Sequence, residues 1–194
     1  MQSLIFPLAG YLIGSLPFSI WITHLVKGVD LRDGGSGHAG ATNTLRQAGW
    51  WWGVVVLILD IAKGFIPVHT ALSVGIPNWI VALTAALAVV GHCWPLWANF
   101  RGGMGLAVTG GALLAISPLY FLIALGLLII LTLIMRHAAR ASVFTGILML
   151  PVFWLFSQRG IVLEIAALTG VVIAVRFYSE DWNRKYRELW LDRE

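Results

Sequence analysis

The chain has 194 residues, 59% of them hydrophobic and only 11% charged, with a formal net charge of +4 and a mean hydropathy of +0.84. That is more apolar surface than a soluble core of this size can hide, so a soluble enzyme or binding module is excluded and an all-α integral membrane protein is implied. One cysteine, Cys93, excludes an internal disulfide framework, and nothing in so modest a charge asks for a nucleic-acid partner.

Apolar runs at residues 4–26, 50–73, 79–97, 106–116, 119–135, 143–156 and 161–175 predict about seven transmembrane helices. They form one domain, 1–194, without repeat or linker. The first run has no basic residue ahead of it and no small-residue cleavage site behind it, so it reads as a retained span rather than a signal peptide. The fourth is too short to cross unaided and suggests a half-helix or a tilted one. Lys27, Arg32, Arg46, Arg101, Arg136, Arg140, Arg176, Arg184, Lys185, Arg187 and Arg193 fall in alternate connections or in the tail, against Arg159 in the opposite set. The positive-inside rule then puts the amino terminus outside and the carboxyl terminus in the cytoplasm. Trp50, Trp51, Trp52, Trp79, Trp94 and Trp97 lie near predicted span ends and read as interfacial anchors. The tail "SEDWNRKYRELWLDRE" reads as an amphipathic helix on the membrane surface.

Four stretches carry polar chemistry. "DGGSGHAGATNTLR", residues 33–46, interleaves four glycines with Ser36, Thr42 and Asn43, a composition suited to an anion nest of backbone amides around Gly37, with Arg46 adding a bidentate fork for phosphate oxygens. A flexible solvent loop is the alternative. "NFRGGMGLAV" sets Gly102, Gly103 and Gly105 after Arg101 at the mouth of an apolar run, where helix-start amides favour an anion; close helix packing through small residues is the alternative. "DIAKG" places Asp60 and Lys63 three apart on one helix face, able to neutralise one another within hydrocarbon, as a cavity scaffold or a helix clasp. "GHCWP" puts His92 near a span end, as an acid or base or as a simple hydrogen-bond donor.

Ser142, after Arg136 and Arg140, adds a third source of anion-binding groups. Glu164 is expected to face the bundle or the outer surface. No nucleophile motif, glycosidic acid pair or metal-ligand spacing is present, so no cofactor or metal is expected. An enzyme built this way would rely on positioning and charge neutralisation.

Three of these stretches, "DLRDGGSGHAGATNTLR", "LDIAKG" and "GHCWPLWANFRGGMGLA", resemble in order the signature motifs of the bacterial acyl-phosphate:glycerol-3-phosphate acyltransferases, over most of the chain. The resemblance implies a multi-pass protein of the bacterial plasma membrane with its active site facing the cytoplasm. It implies fatty acyl phosphate and glycerol 3-phosphate as substrates, lysophosphatidic acid and phosphate as products, and an acyl chain held between helices against lipid. Ser36, Gly37, Asn43, Arg46, Lys63, Arg101, Gly102, Gly103 and Ser142 are then the expected substrate-binding residues. Either His92 or the substrate's own phosphate would accept the hydroxyl proton. The chain departs from the family pattern at His38 and at Glu180 or Asp181, where asparagine is usual, and at Met104, where lysine is usual. A non-catalytic relative binding a phosphorylated lipid or metabolite is the second reading.

Overall fold

The computed structural model describes residues 2–156 and 160–183. Arg159 and the tail from Arg184 onward, including most of the expected surface helix, lie outside the described residues. Among those described, the chain forms α1 (Ile5–Gly14), α2 (Phe18–Lys27), α3 (Ala41–Ala48), α4 (Trp50–Ser73), α5 (Asn78–Cys93), α6 (Leu106–Ile116), α7 (Pro118–Met135), α8 (Ala138–Leu155) and α9 (Ile161–Asp181), with short 3-10 turns and no strand.

Six stretches are long and apolar enough to cross a membrane: α1 with α2, α4, α5 with the turn that follows it, α7, α8 and α9. The fourth predicted run is α6, whose eleven residues span about 16 Å, half of a hydrocarbon core about 30 Å thick. The first run, expected as one span, is two helices. Pro17 lacks an amide and disfavours helical geometry at Leu16, so the chain breaks between Gly14 and Phe18.

Helices pair through reciprocal glycines. A Cβ at Gly64 of α4 would overlap the Val108 carbonyl of α6, and one at Gly111 would overlap the Ile61 carbonyl in return. Gly146 and Gly170 stand in the same relation between α8 and α9, and Gly14 and Gly91 fill it between α1 and α5. With lipid as apolar as leucine, such close backbone approach is what holds helices together.

Two apolar clusters fill the interior. One gathers Val68, Leu113, Phe153 and Ile165; the other gathers Val89, Cys93, Val108, Ile173 and Phe177, with Met104 packed against it. Outward, α7 buries no residue, and Trp50, Trp51, Trp79 and Trp97 are exposed at helix ends. Glu164 lies in the first turn of α9, where the positive end of the helix dipole favours a carboxylate.

Candidate functional site

The first glycine-rich connection is held from inside. Asn43 of α3, 2% exposed, donates from Nδ2 to the carbonyls of Leu31, Gly34 and His38 at 3.0, 3.2 and 3.1 Å, and its Oδ1 accepts from the Ser36 amide at 3.2 Å. The amide of Gly37 donates to the Gly34 carbonyl and that of Ala39 to the Gly102 carbonyl, while the His38 amide reaches Ser36 Oγ. The segment is therefore a fixed shelf rather than a flexible loop. The amides of Ser36, Gly37, His38 and Ala39 are all engaged within the protein.

Arg32 ties this shelf to the second loop. Its guanidinium pairs with Asp30 at 2.6 Å and donates from Nη1 to the Ala98 carbonyl at 2.8 Å. The hydrogen bond from Arg32 holds the Asp30 carboxyl at about 2, below its usual 3.8.

Gly102 and Gly103 serve close approach. A Cβ at Gly102 would overlap the His92 carbonyl, and one at Gly103 would overlap His92 Nε2 and the Ala39 carbonyl. The Gly103 amide donates to the His92 carbonyl at 3.0 Å, and its own carbonyl accepts from Arg176 Nε at 3.1 Å. Both glycines thus press against the end of α5 and the shelf rather than between two helices, and the Gly103 amide is engaged by the His92 carbonyl.

The third wall is the end of α9. Arg176, 5% exposed, lies 5.2 Å from the Trp94 ring centroid and pairs with Glu180 at 2.8 Å. One turn on, Asp181 Oδ1 lies 3.1 Å from His38 Nε2. Shelf, second loop and α9 together enclose a polar cleft of about 560 Å³.

Of the expected residues, Ser36, Gly37, Arg101 and Gly102 line this cleft. Asn43 supports the shelf and Gly103 closes the floor. Beneath it lies a buried charge cluster: Lys63 Nζ is 2.8 Å from Asp60 Oδ1, and His92 Nδ1 is 3.6 Å from the same oxygen, with all three residues under 8% exposed. The expected Asp60–Lys63 pair is formed, and Lys63 also sits 5.0 Å from the Phe18 ring centroid. His92, Lys63, Arg46 and Ser142 are not in the cleft lining. Arg46 is exposed on α3, and the Ser142 hydroxyl donates to the Ala138 carbonyl at 2.8 Å.

The sequence reading missed Trp94, Phe100 and Arg176. Trp94 lines the cleft, and its carbonyl accepts from the Tyr11 hydroxyl at 3.1 Å, so it is not simply an interfacial anchor. Arg176 was assigned to the tail because its apolar run stops at residue 175; the signal for it was the Arg176–Glu180 spacing of four, which continues α9. Among the described residues no three His, Cys, Asp or Glu side chains come together to hold a metal.

A family model described as "Glycerol-3-phosphate acyltransferase" matches residues 4–185. The chain belongs to the glycerol-3-phosphate acyltransferase family. The acyltransferase of Aquifex aeolicus is 38% identical over 189 residues, 95% of either chain, and that of Fusobacterium nucleatum is 35% identical over 173 residues, 89% of this chain and 88% of the relative. Among solved structures, the glycerol 3-phosphate form of PlsY (YgiH), an integral membrane glycerol 3-phosphate acyltransferase, superposes with a TM-score of 0.81 at 36% identity, covering 92% of this chain and 90% of that one. Its lysophosphatidic acid form gives 0.79 at 34% identity, covering 92% and 89%. In this acyltransferase Met104 is spent on the apolar cluster beneath the cleft, which leaves Arg101 and Arg176 as the cations of its lining.

Proposed function

We propose that this chain transfers a fatty acyl group from acyl phosphate to the sn-1 hydroxyl of glycerol 3-phosphate, giving lysophosphatidic acid and inorganic phosphate. The observation that carries this reading is the convergence of the first and third signature stretches, Ser36–Gly37 and Arg101–Gly102, on one polar cleft at one end of an apolar bundle. A doubly charged acceptor needs such a polar, cation-bearing site, and a planar guanidinium such as Arg101 engages phosphate through two parallel hydrogen bonds. Arg46 and Ser142 join the acceptor site by resemblance. His92, beneath Gly103, holds the floor and the second loop in register.

The reaction asks little of covalent chemistry from the protein. Holding hydroxyl and carbonyl in contact makes the attack effectively intramolecular, and the cations offset charge on the departing phosphate. The acyl chain has an apolar recess available between α6, α7, α8 and α9, bordered by Leu106, Leu113, Phe121 and Met149. A cytoplasmic cleft in a bacterial plasma membrane, with the amino terminus outside, is supported by charge: Arg32, Arg101 and Arg176 lie at the cleft, and basic residues favour the cytoplasmic side.

Purified protein in lipid nanodiscs, given radiolabelled palmitoyl phosphate and glycerol 3-phosphate, is expected to release lysophosphatidic acid and phosphate in equal amounts. Folded protein yielding lysophosphatidic acid from acyl-coenzyme A or acyl-carrier protein, but none from acyl phosphate, would overturn the donor assignment.

A further inference from the structure

The cleft contains a titratable pair that the proposed reaction leaves unused. His38 sits on the shelf between Ser36 and Asn43, and Asp181 sits 143 residues later at the end of α9, yet His38 Nε2 and Asp181 Oδ1 meet at 3.1 Å. Both line the cleft. Their side chains are 17% and 8% exposed, so the contact is shielded while the imidazole keeps access to the cavity. The His38 carbonyl is fixed by Asn43 and its amide is directed to Ser36 Oγ, so the ring is carried on a rigid base.

We propose that His38, oriented by Asp181, is the general base that takes the proton from the acceptor hydroxyl. A carboxylate accepting from Nε2–H selects the tautomer in which Nδ1 carries the lone pair, and it stabilises the imidazolium that forms. In the reaction the acceptor oxygen bonds to the acyl carbonyl carbon, and the bond from that carbon to the donor's leaving atom breaks, the oxygen of an acyl phosphate or the sulfur of a thioester, its electron pair departing with the leaving group. The hydroxyl proton passes to His38 Nδ1 and then to the departing phosphate or thiolate, or to water. Among the described residues, the charged groups that line the cleft with this ring are Asp181, Glu180 and Arg176 from α9 and Arg101 from the second loop. The direct contact belongs to Asp181. His92 does not compete for the role, because it is buried and absent from the cleft lining, with its carbonyl accepting from the Gly103 amide and its Nδ1 turned to within 3.6 Å of Asp60 Oδ1.

The proposal rests on glycerol 3-phosphate as acceptor and is independent of the donor. The test therefore offers palmitoyl phosphate, palmitoyl-coenzyme A and palmitoyl-acyl-carrier protein in parallel, and then follows kcat and kcat/KM against pH with the donor the wild type uses. His38→Asn and His38→Gln are expected to lower kcat by about 100-fold, the lower range for a positioned general base, with KM for glycerol 3-phosphate within about threefold. The acid limb of the kcat/KM profile should disappear. Asp181→Asn should lower kcat while KM for glycerol 3-phosphate stays within about threefold, a split that a merely structural contact would not give. Thermal unfolding of each variant close to wild type shows that the fold is intact. A folded His38→Asn enzyme with kcat within threefold of wild type and an unchanged profile overturns the dyad while leaving the function standing. A wild type that makes no lysophosphatidic acid from any donor overturns the acceptor reading and the base together.

Discussion

Removing Lys63 should destabilise the bundle more than removing Asp60. Both side chains are at most 3% exposed and lie 2.8 Å apart inside the second span. Lys63→Met leaves the Asp60 carboxylate buried with His92 Nδ1 at 3.6 Å in place of the ammonium, and breaking a buried pair from one side costs about 3–5 kcal/mol. Asp60→Asn strands Lys63 instead, but its ammonium keeps the face of Phe18 at 5.0 Å, worth up to about 2 kcal/mol in a desolvated setting. For a chain of this length each kcal/mol moves Tm by about 2–4 °C, so Lys63→Met should lower Tm by about 6–20 °C, and Asp60→Asn by visibly less. The double variant Asp60→Asn/Lys63→Met should recover much of the loss, since neither charge remains. The protein supplies its own probe: Cys93 is its single cysteine and is fully buried, so a thiol-reactive fluorophore reports unfolding during a thermal ramp. A Lys63→Met protein melting within 2 °C of wild type, or a double variant melting below both singles, would refute the reasoning.

Arg101→Ala should raise KM for glycerol 3-phosphate at least tenfold, matching the roughly 1.5–3 kcal/mol of a hydrogen bond to a charged group; steady-state kinetics decides. Arg46→Ala is expected to do the same with the fold intact, and an unchanged KM would remove Arg46 from the acceptor site. Gly146→Ala puts a methyl group 2.6 Å from the Gly170 carbonyl and should cost about 1–3 kcal/mol, read as a lowered Tm. The Asp30 carboxyl, depressed to about 2 by Arg32, favours the folded shelf above its unfolded value of 3.8, and that contribution is lost as pH falls through about 2. Protection of residues 30–40 against hydrogen exchange, taken relative to the intrinsic amide rates at each pH, should therefore fall between pH 4 and pH 2, and Asp30→Asn should flatten that change.

The hydropathy runs located the long helices closely, because a bilayer admits few backbone solutions and apolar length reports them directly. The break at Pro17 was written in the same residues but hidden by their continuous hydropathy. The Asp60–Lys63 contact was legible because i,i+3 spacing on a helix leaves the two side chains as neighbours. The cleft was legible only in part. Ser36, Gly37, Arg101 and Gly102 belong to glycine-rich segments whose composition advertises a polar site, whereas Arg176 and Asp181 reach it from a helix that adjoins the shelf only after folding. The inward use of the shelf amides was also invisible, since composition shows that an amide is available and never where it points. His38 stood out as a departure from the family pattern, as did Glu180 or Asp181, and only the fold shows that it is Asp181 that meets His38.

The depth of the site follows from the shortness of α6. Its Val108 carbonyl packs on Gly64, fourteen residues into α4, or about 21 Å from the Trp50 end at 1.5 Å per residue. The loop ahead of α6 therefore enters the bundle instead of resting on its surface. Non-helical backbone at such depth is tolerated only where protein encloses it or where it lines a water-filled cavity; here His92 and Ala39 cover Gly103 from one side and the cleft lies on the other. The Asp60–Lys63 pair, about 15 Å along α4 from Trp50, is itself lined by protein, with His92 Nδ1 at 3.6 Å and the Phe18 ring at 5.0 Å. A sixth helix with further turns ahead of Leu106 would take the space in which Gly102 and Gly103 now press against the His92 and Ala39 carbonyls, and the second loop could not meet the shelf there.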